Sequence, residues 1–417
     1  MRVANADEYD WDTQGHRYKR QRVLNLRMQI ERRAIELGKG HSSDAANRED
    51  NSTKRVLLIS SKVMHYRVPV YNYFHRRFRE IGFELSVIAN ALQKQNQKPV
   101  EFDFRELAFS FGTYTQTIKA LRPVAVILFL RLKDLIVWPL IHWLRFQRIP
   151  FAVWTKAANW DAKDSRWRYC LYNYVHGISD AIIVYSVDCL ESIRPPFRSK
   201  VFVANNTLNF DDFPRIDESK EVIKRELRVP FEKVVLFVGS MGTGKGRKRV
   251  DHLVEIFRNF ERKDVGLVLV GSGLSEELRG RMNSHNTVYL GEMHDGMDIG
   301  ISKVFKMADI CAIPGHVGLG LNQALFWGLP VITEEGVHPP EIAYLKPGKN
   351  GFIVPRNDLI SLRDRIVYLL DHDDIRAEFS RNARQGILAE APIEKMFGGF
   401  QDCVHFLSHT RHVSHHE

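Results

Sequence analysis

Residues 313–333 read IPGHVGLGLNQALFWGLPVIT, and this stretch decides the fold. An apolar strand stops at Pro314, Gly315, Gly318 and Gly320 line a turn, and an apolar helix follows from about Leu321 to Trp327. Gly328-Leu-Pro330 then starts a new strand. Glycines ahead of a helix let backbone N–H groups approach an anion, and the helix dipole adds partial positive charge there. A diphosphate suits that geometry, although such turns also serve purely structural ends.

On either side the same alternation continues. Downstream lie Glu334, Glu335 and His338-Pro-Pro-Glu341, in the kind of loop where an α/β sheet presents ligands, and then a strand at Gly351 to Val354. Glu341 is a candidate sugar contact or simply a helix-starting acid. Upstream, strands are predicted at Lys233 to Gly239, Gly266 to Val270, Thr287 to Leu290 and Ile310 to Ile313. An earlier series comprises Val56 to Ser60, Phe83 to Ile88, Val124 to Phe129, Phe151 to Trp154 and Ala181 to Val184. Strand–helix alternation implies parallel sheets covered on both faces. The pattern pauses near Val201 to Thr207, so two Rossmann-like domains are expected, 55–209 and 210–387, with residues 388–417 returning to the first. At 417 residues the chain exceeds the usual size of one hydrophobic core.

Residues 1–54 form an expected extension. An acidic start gives way to Arg17-Tyr-Lys-Arg-Gln-Arg22, then to a helical pattern at Val23, Leu26, Ile30, Ala34 and Leu37. That helix suits packing on its own protein or lying on a membrane surface. No run reaches the roughly 18–20 apolar residues of a membrane span, and no signal-peptide core is seen, so a cytoplasmic location is expected. Leu132 to Phe146, rich in Leu, Ile and Trp, suits the core or a lipid-facing patch. The four cysteines show no disulfide or metal-ligand spacing. The net charge of +10 favours anionic partners without choosing among them. The basic residues match no nucleic-acid-binding module, so no nucleic-acid partner is expected.

Gly239-Ser-Met-Gly-Thr-Gly-Lys-Gly246 fits most of a P-loop, but Gly246 stands where a magnesium-holding hydroxyl is needed. The alternative is a basic strand–helix loop that meets a phosphate through Lys248, with Arg247 and Arg249 nearby. In the first domain His65 and Arg67 follow the first strand at its carboxyl end, and Trp154-Thr-Lys156 and Asn159-Trp-Asp161 follow a later one.

Taken jointly, these motifs resemble the family-4 glycosyltransferases of the GT-B fold, including bacterial polysaccharide-assembly members. The matching residues run in order: Phe237-Val-Gly239, Lys248-Arg-Val-Asp251, Leu267-Val-Leu-Val-Gly-Ser-Gly273, Val288-Tyr-Leu-Gly291, Met307-Ala-Asp-Ile310, the 314–332 block, Glu341 and Asn350-Gly-Phe-Ile-Val354. A looser match covers His65-Tyr-Arg-Val-Pro-Val-Tyr71 and Val203-Ala-Asn-Asn206.

The resemblance implies sugar transfer from a nucleotide-diphosphate donor to a glycan or lipid-linked acceptor, with retention and with neither metal nor cofactor. An anionic membrane surface is a further expected partner. It implies Lys248, Arg247, His316 and His65 as catalytic candidates. Donor-binding candidates are Gly239, Ser240, Arg249, Gly271, Gly291, Gly318, Leu319, Gly320, Gln323 and Glu341. Two departures stand out: Ser240 replaces the strand-end arginine, and the paired glutamates are Gly315 and Gln323. Four readings stay open: a transferase, a nucleotide-sugar epimerase or hydrolase of the same fold, a catalytically silent binding subunit, and a nucleic-acid binder suggested by charge alone.

Overall fold

The structure is a computed structural model that describes residues 54–94, 98–157, 166–242, 248–296 and 300–413. The expected extension therefore lies outside the described residues, apart from Lys54, as do Arg247, Lys245 and Asn159 to Asp161.

Seven strands build the first sheet: β1 (Lys54–Ile59), β2 (Phe83–Ala89), β3 (Asp103–Glu106), β4 (Ala125–Phe129), β5 (Phe151–Thr155), β6 (Ala181–Val184) and β7 (Val201–Val203). All pairs are parallel, in the order β3-β2-β1-β4-β5-β6-β7. The second sheet holds β8 (Lys233–Val238), β9 (Val265–Val270), β10 (Thr287–Tyr289), β11 (Ile310–Ala312), β12 (Val331–Glu334) and β13 (Gly351–Val354). It too is wholly parallel, in the order β10-β9-β8-β11-β12-β13. The molecule is thus α/β, with two doubly wound sheets.

The strands form where the sequence is apolar in unbroken runs, because helices cover both faces of a parallel sheet. Leu57 and Leu58 of β1 are buried, as are Leu236 and Phe237 of β8. One strand carries no such run: Asp103–Glu106 is an edge strand with largely exposed side chains, whereas Val201–Val203 at the opposite edge is apolar but only three residues long.

The order reverses beside β1 and again beside β8, so each sheet has a crevice at its strands' carboxyl ends where the connections diverge. The final helix, Ile393–Val413, packs on the first sheet. Phe400 meets Trp154 with ring centroids 5.0 Å apart and Phe74 at 4.8 Å. Gly399 lies against the Val203 carbonyl, where a Cβ would stand 2.3 Å from the oxygen.

Candidate active site

A cavity of about 460 Å³ opens where loops from the two sheets meet. The first domain contributes His65 and Tyr66, the crossover contributes Asn209 and Asp212, and the second domain supplies the remaining wall. That wall includes Gly239, Ser240, Gly271, Ser272, Gln323 and the run Glu292 to Asp295.

Below this wall sits Lys248. Its stem crosses Gly239 so closely that a Cβ there would stand 2.4 Å from Lys248 Cδ and Cε. Gly239 also has φ +151°, so glycine is required there on both counts. The ammonium donates to the Val317 carbonyl at 3.2 Å, and Gly320 is its neighbour on the helix Leu319–Phe326. Gly318 caps that helix at φ +58°, and the first-turn amides of any helix lack intrahelical acceptors. Among the described residues no carboxylate pairs with Lys248. Burial lowers its pKa to about 8, a cost that a bound anion would relieve.

The acidic groups of the cavity are already engaged. Asp295 accepts from the Ser302 amide at 2.9 Å and its hydroxyl at 2.8 Å. Asp212 pairs with Lys98 at 3.1 Å and Glu292 with His294 at 3.2 Å. The floor near Lys248 is therefore the part of the site suited to negative charge.

His65 faces His294 across the two domains, ring centroids 4.7 Å apart. Both its backbone N–H, at 3.1 Å, and its Nδ1, at 3.0 Å, contact Gln93 Oε1. One oxygen shared by these two nitrogens makes Nδ1 the donor, which leaves Nε2 of the neutral ring as an acceptor. Burial is the main cause that lowers the His65 pKa and favours this neutral form.

Of the expected site residues, His65, Gly239, Ser240, Gly271 and Gln323 line the cavity, and Lys248 with Gly318, Leu319 and Gly320 forms the layer beneath. Gly291 holds the Gly271 amide through its carbonyl at 2.8 Å. His316 lies in the turn before the helix, off the cavity wall.

Arg249, expected among the donor-binding residues, is off the cavity wall, with its guanidinium bound to Glu334 at 2.5 Å and Asn357 at 2.7 Å. Burial would raise the Glu334 pKa, but hydrogen bonds from His252, the Asn357 amide and Arg249 outweigh it and lower it. Glu341, a candidate sugar contact or helix-starting acid, stands in the first turn of the short helix Pro340–Tyr344 and is buried at the domain junction with Asn206 Nδ2 on its Oε1. Asn206 Oδ1 in turn accepts from Arg67 at 2.7 Å, and its carbonyl from Asn322 at 3.1 Å.

The Glu292–Asp295 run is missing from the residues singled out in the sequence. The available signal was its place directly after Gly291, beyond the carboxyl end of a strand.

Comparison with known proteins agrees with this architecture. Residues 232–372 match the family described as glycosyl transferases group 1. The poly(ribitol-phosphate) alpha-N-acetylglucosaminyltransferase of Staphylococcus aureus is 23% identical over 234 residues. That match covers 55% of this chain but only 44% of the relative, so the chain spans less than half of its length. Among solved structures, a glycosyltransferase of Rickettsia africae superposes with TM-score 0.67 at 14% identity, covering 85% of this chain and 99% of that one. Anabaena HepE, solved in complex with UDP-glucose, gives 0.64 at 15% identity, covering 85% and 99%. Residues 232–372 are thus similar to the group 1 glycosyl transferases, and the two sheets together have the GT-B fold of these solved glycosyltransferases.

Proposed function

We propose that this protein transfers a sugar from a nucleotide-diphosphate donor to a glycan or lipid-linked acceptor, with retention and without a metal or cofactor. The observation that carries the reading is the convergence of the Lys248 ammonium and the first turn of Leu319–Phe326 beneath Gly239, with no carboxylate on Lys248 among the described residues. As the bond to the sugar breaks, the diphosphate gains negative charge. A fixed ammonium and helix-terminal amides stabilise that charge without reorganising. Gln323, on the cavity wall, orients the ribose by hydrogen bonding. His65, with Nε2 as acceptor, faces the side from which the acceptor enters. We place the protein in the cytoplasm, at the inner face of the membrane.

The family relationship and the UDP-glucose complex of HepE support a nucleotide-sugar donor. Among the described residues no cluster of three or more His, Cys, Asp or Glu is arranged to hold a metal ion, and no helix is long and apolar enough to cross a membrane.

The test is a thermal-shift screen of UDP-, GDP- and TDP-sugars, followed by donor consumption with and without acceptor. A ligand at a hundredfold excess over Kd stabilises the native state by about 2.7 kcal/mol. Consumption that needs an acceptor and survives EDTA is the expected result. Acceptor-independent turnover would identify an epimerase or hydrolase, and binding without turnover a silent subunit. Loss on chelation, restored by Mn²⁺ or Mg²⁺, would overturn metal independence.

A further inference from the structure

Ten large apolar or aromatic side chains stand out as exposed among the described residues, and seven of them lie between positions 109 and 174. The concentration follows from one face of the first sheet. Strands β4, β5 and β6 are consecutive parallel neighbours, so their right-handed crossover helices, Val137–Phe146 and Arg166–Ile178, lie side by side on the same face and run in the same direction. Tyr174 contacts His142, hydroxyl to Nε2 at 3.1 Å, which fixes their register.

The first helix buries Val137, Leu140, Ile141 and Leu144 and turns Pro139, His142 and Phe146 outward, in line with Leu135 just ahead of it. The second turns Trp167, Cys170 and Tyr174 outward. Leu135 and Trp167 each precede the His142–Tyr174 contact by seven residues, so two apolar rows run abreast for about 10 Å. Exposure reaches 78% at Leu135, 82% at Phe146 and 65% at Trp167, so these side chains are largely uncovered by the described residues.

Charge identifies the partner. Residues 109–178 carry ten Lys or Arg against three acids, Asp134, Asp161 and Asp164. Asp180, just beyond, is paired with Arg145. Aromatic rows rimmed by cations on one surface match the boundary of an anionic bilayer, where rings enter the headgroup layer and cations meet phosphates.

We propose that this two-helix face docks on the surface of an anionic phospholipid membrane. Both helices begin near the carboxyl ends of their strands, the edge that also presents His65. Docking therefore sets one border of the cleft against the membrane. The idea deepens the proposed function by assigning the acceptor to a lipid-borne class, but the docking itself needs no turnover.

Cys170 provides the reporter, because it is the exposed cysteine and the other three are buried. The full chain, labelled there with an environment-sensitive fluorophore, should shift to the blue with phosphatidylglycerol-containing vesicles and not with phosphatidylcholine alone. Added salt should reverse the shift. In co-sedimentation, Phe146→Ser with Trp167→Ser should weaken vesicle partitioning by at least about tenfold, since each ring forfeits more than a kcal/mol of burial. The donor-induced thermal shift should be unchanged, which separates failure of this proposal from failure of the transferase reading.

Each of four results would overturn docking at this face. They are no response to anionic vesicles at low salt, unaltered vesicle binding by the double variant, an equal response to soluble polyphosphate, and a change in sedimentation showing that a second copy covers the rows.

Discussion

Replacing Lys248 by Met removes a charge and keeps most of the stem, and it should move stability and function in opposite directions. Burial brings the lysine pKa from 10.5 to about 8. The folded chain thus binds this proton more weakly than the unfolded chain. The penalty is fully present below about pH 8 and is relieved as pH rises toward 10.5. At pH 7 it amounts to about 3 kcal/mol, of which the variant should recover about 1–3 kcal/mol.

Donor binding carries the opposite sign. A charge-assisted bond to phosphate contributes roughly 1.5–3 kcal/mol, so the variant should bind nucleotide sugar about 10- to 150-fold more weakly. Its transfer rate should fall by about 10²–10³, because the bond strengthens as the leaving group gains charge. Wild-type donor affinity should decline by about tenfold per pH unit above pH 8, until the higher pKa of the complex is reached. The variant should lack that dependence.

Thermal melts with and without donor at pH 7 and pH 9, with single-turnover rates, measure every term. A variant less stable than wild type that still binds donor normally would refute the reasoning. Comparing Lys248→Ala with Lys245→Ala tests the loop assignment. An inactive Lys245 variant beside an active Lys248 variant would give the phosphate to the other lysine and reopen the P-loop reading.

Arg249→Ala should destabilise the protein by about 3 kcal/mol, by leaving the buried Glu334 carboxylate short of a cation. Its donor-induced thermal shift should stay at the wild-type size, and a selective loss of donor affinity would return Arg249 to the donor site. Gln323→Ala removes a neutral contact, so donor affinity should fall by about 0.5–1.5 kcal/mol with little change in the rate at saturation, measurable by titration calorimetry. His176 is wholly buried with neither ring nitrogen hydrogen-bonded, and burial lowers its pKa to about 4. The unfolded chain takes up this proton more readily, so stability should fall as pH drops from 6.5 toward 4, by up to about 3 kcal/mol. In acid denaturation, His176→Leu should flatten that limb; an unchanged limb would place the sensitivity elsewhere.

The sequence by itself determined the two series of buried strands, since a strand covered on both faces must be apolar throughout and therefore shows as an unbroken run, as at Val234 to Phe237. It also determined the glycine turn at 315–320, because a tight turn is a local feature of composition. Strand Asp103–Glu106 escaped that reading, being an edge strand whose backbone pairing needs no apolar pattern, and Val201–Val203 escaped it because three apolar residues are too short a run to mark a strand.

Only the tertiary structure decided the partners. Arg249 meets Glu334 from 85 positions away, Asn206 meets Glu341 from 135, and His65 meets His294 from the other domain. Such pairings depend on which strand ends the two sheets bring together, and no local spacing encodes that. The same holds for Leu132 to Phe146. Its composition suited the core better than a lipid surface, and the structure buries one side of the helix on the sheet while Leu135 and Phe146 stay exposed among the described residues.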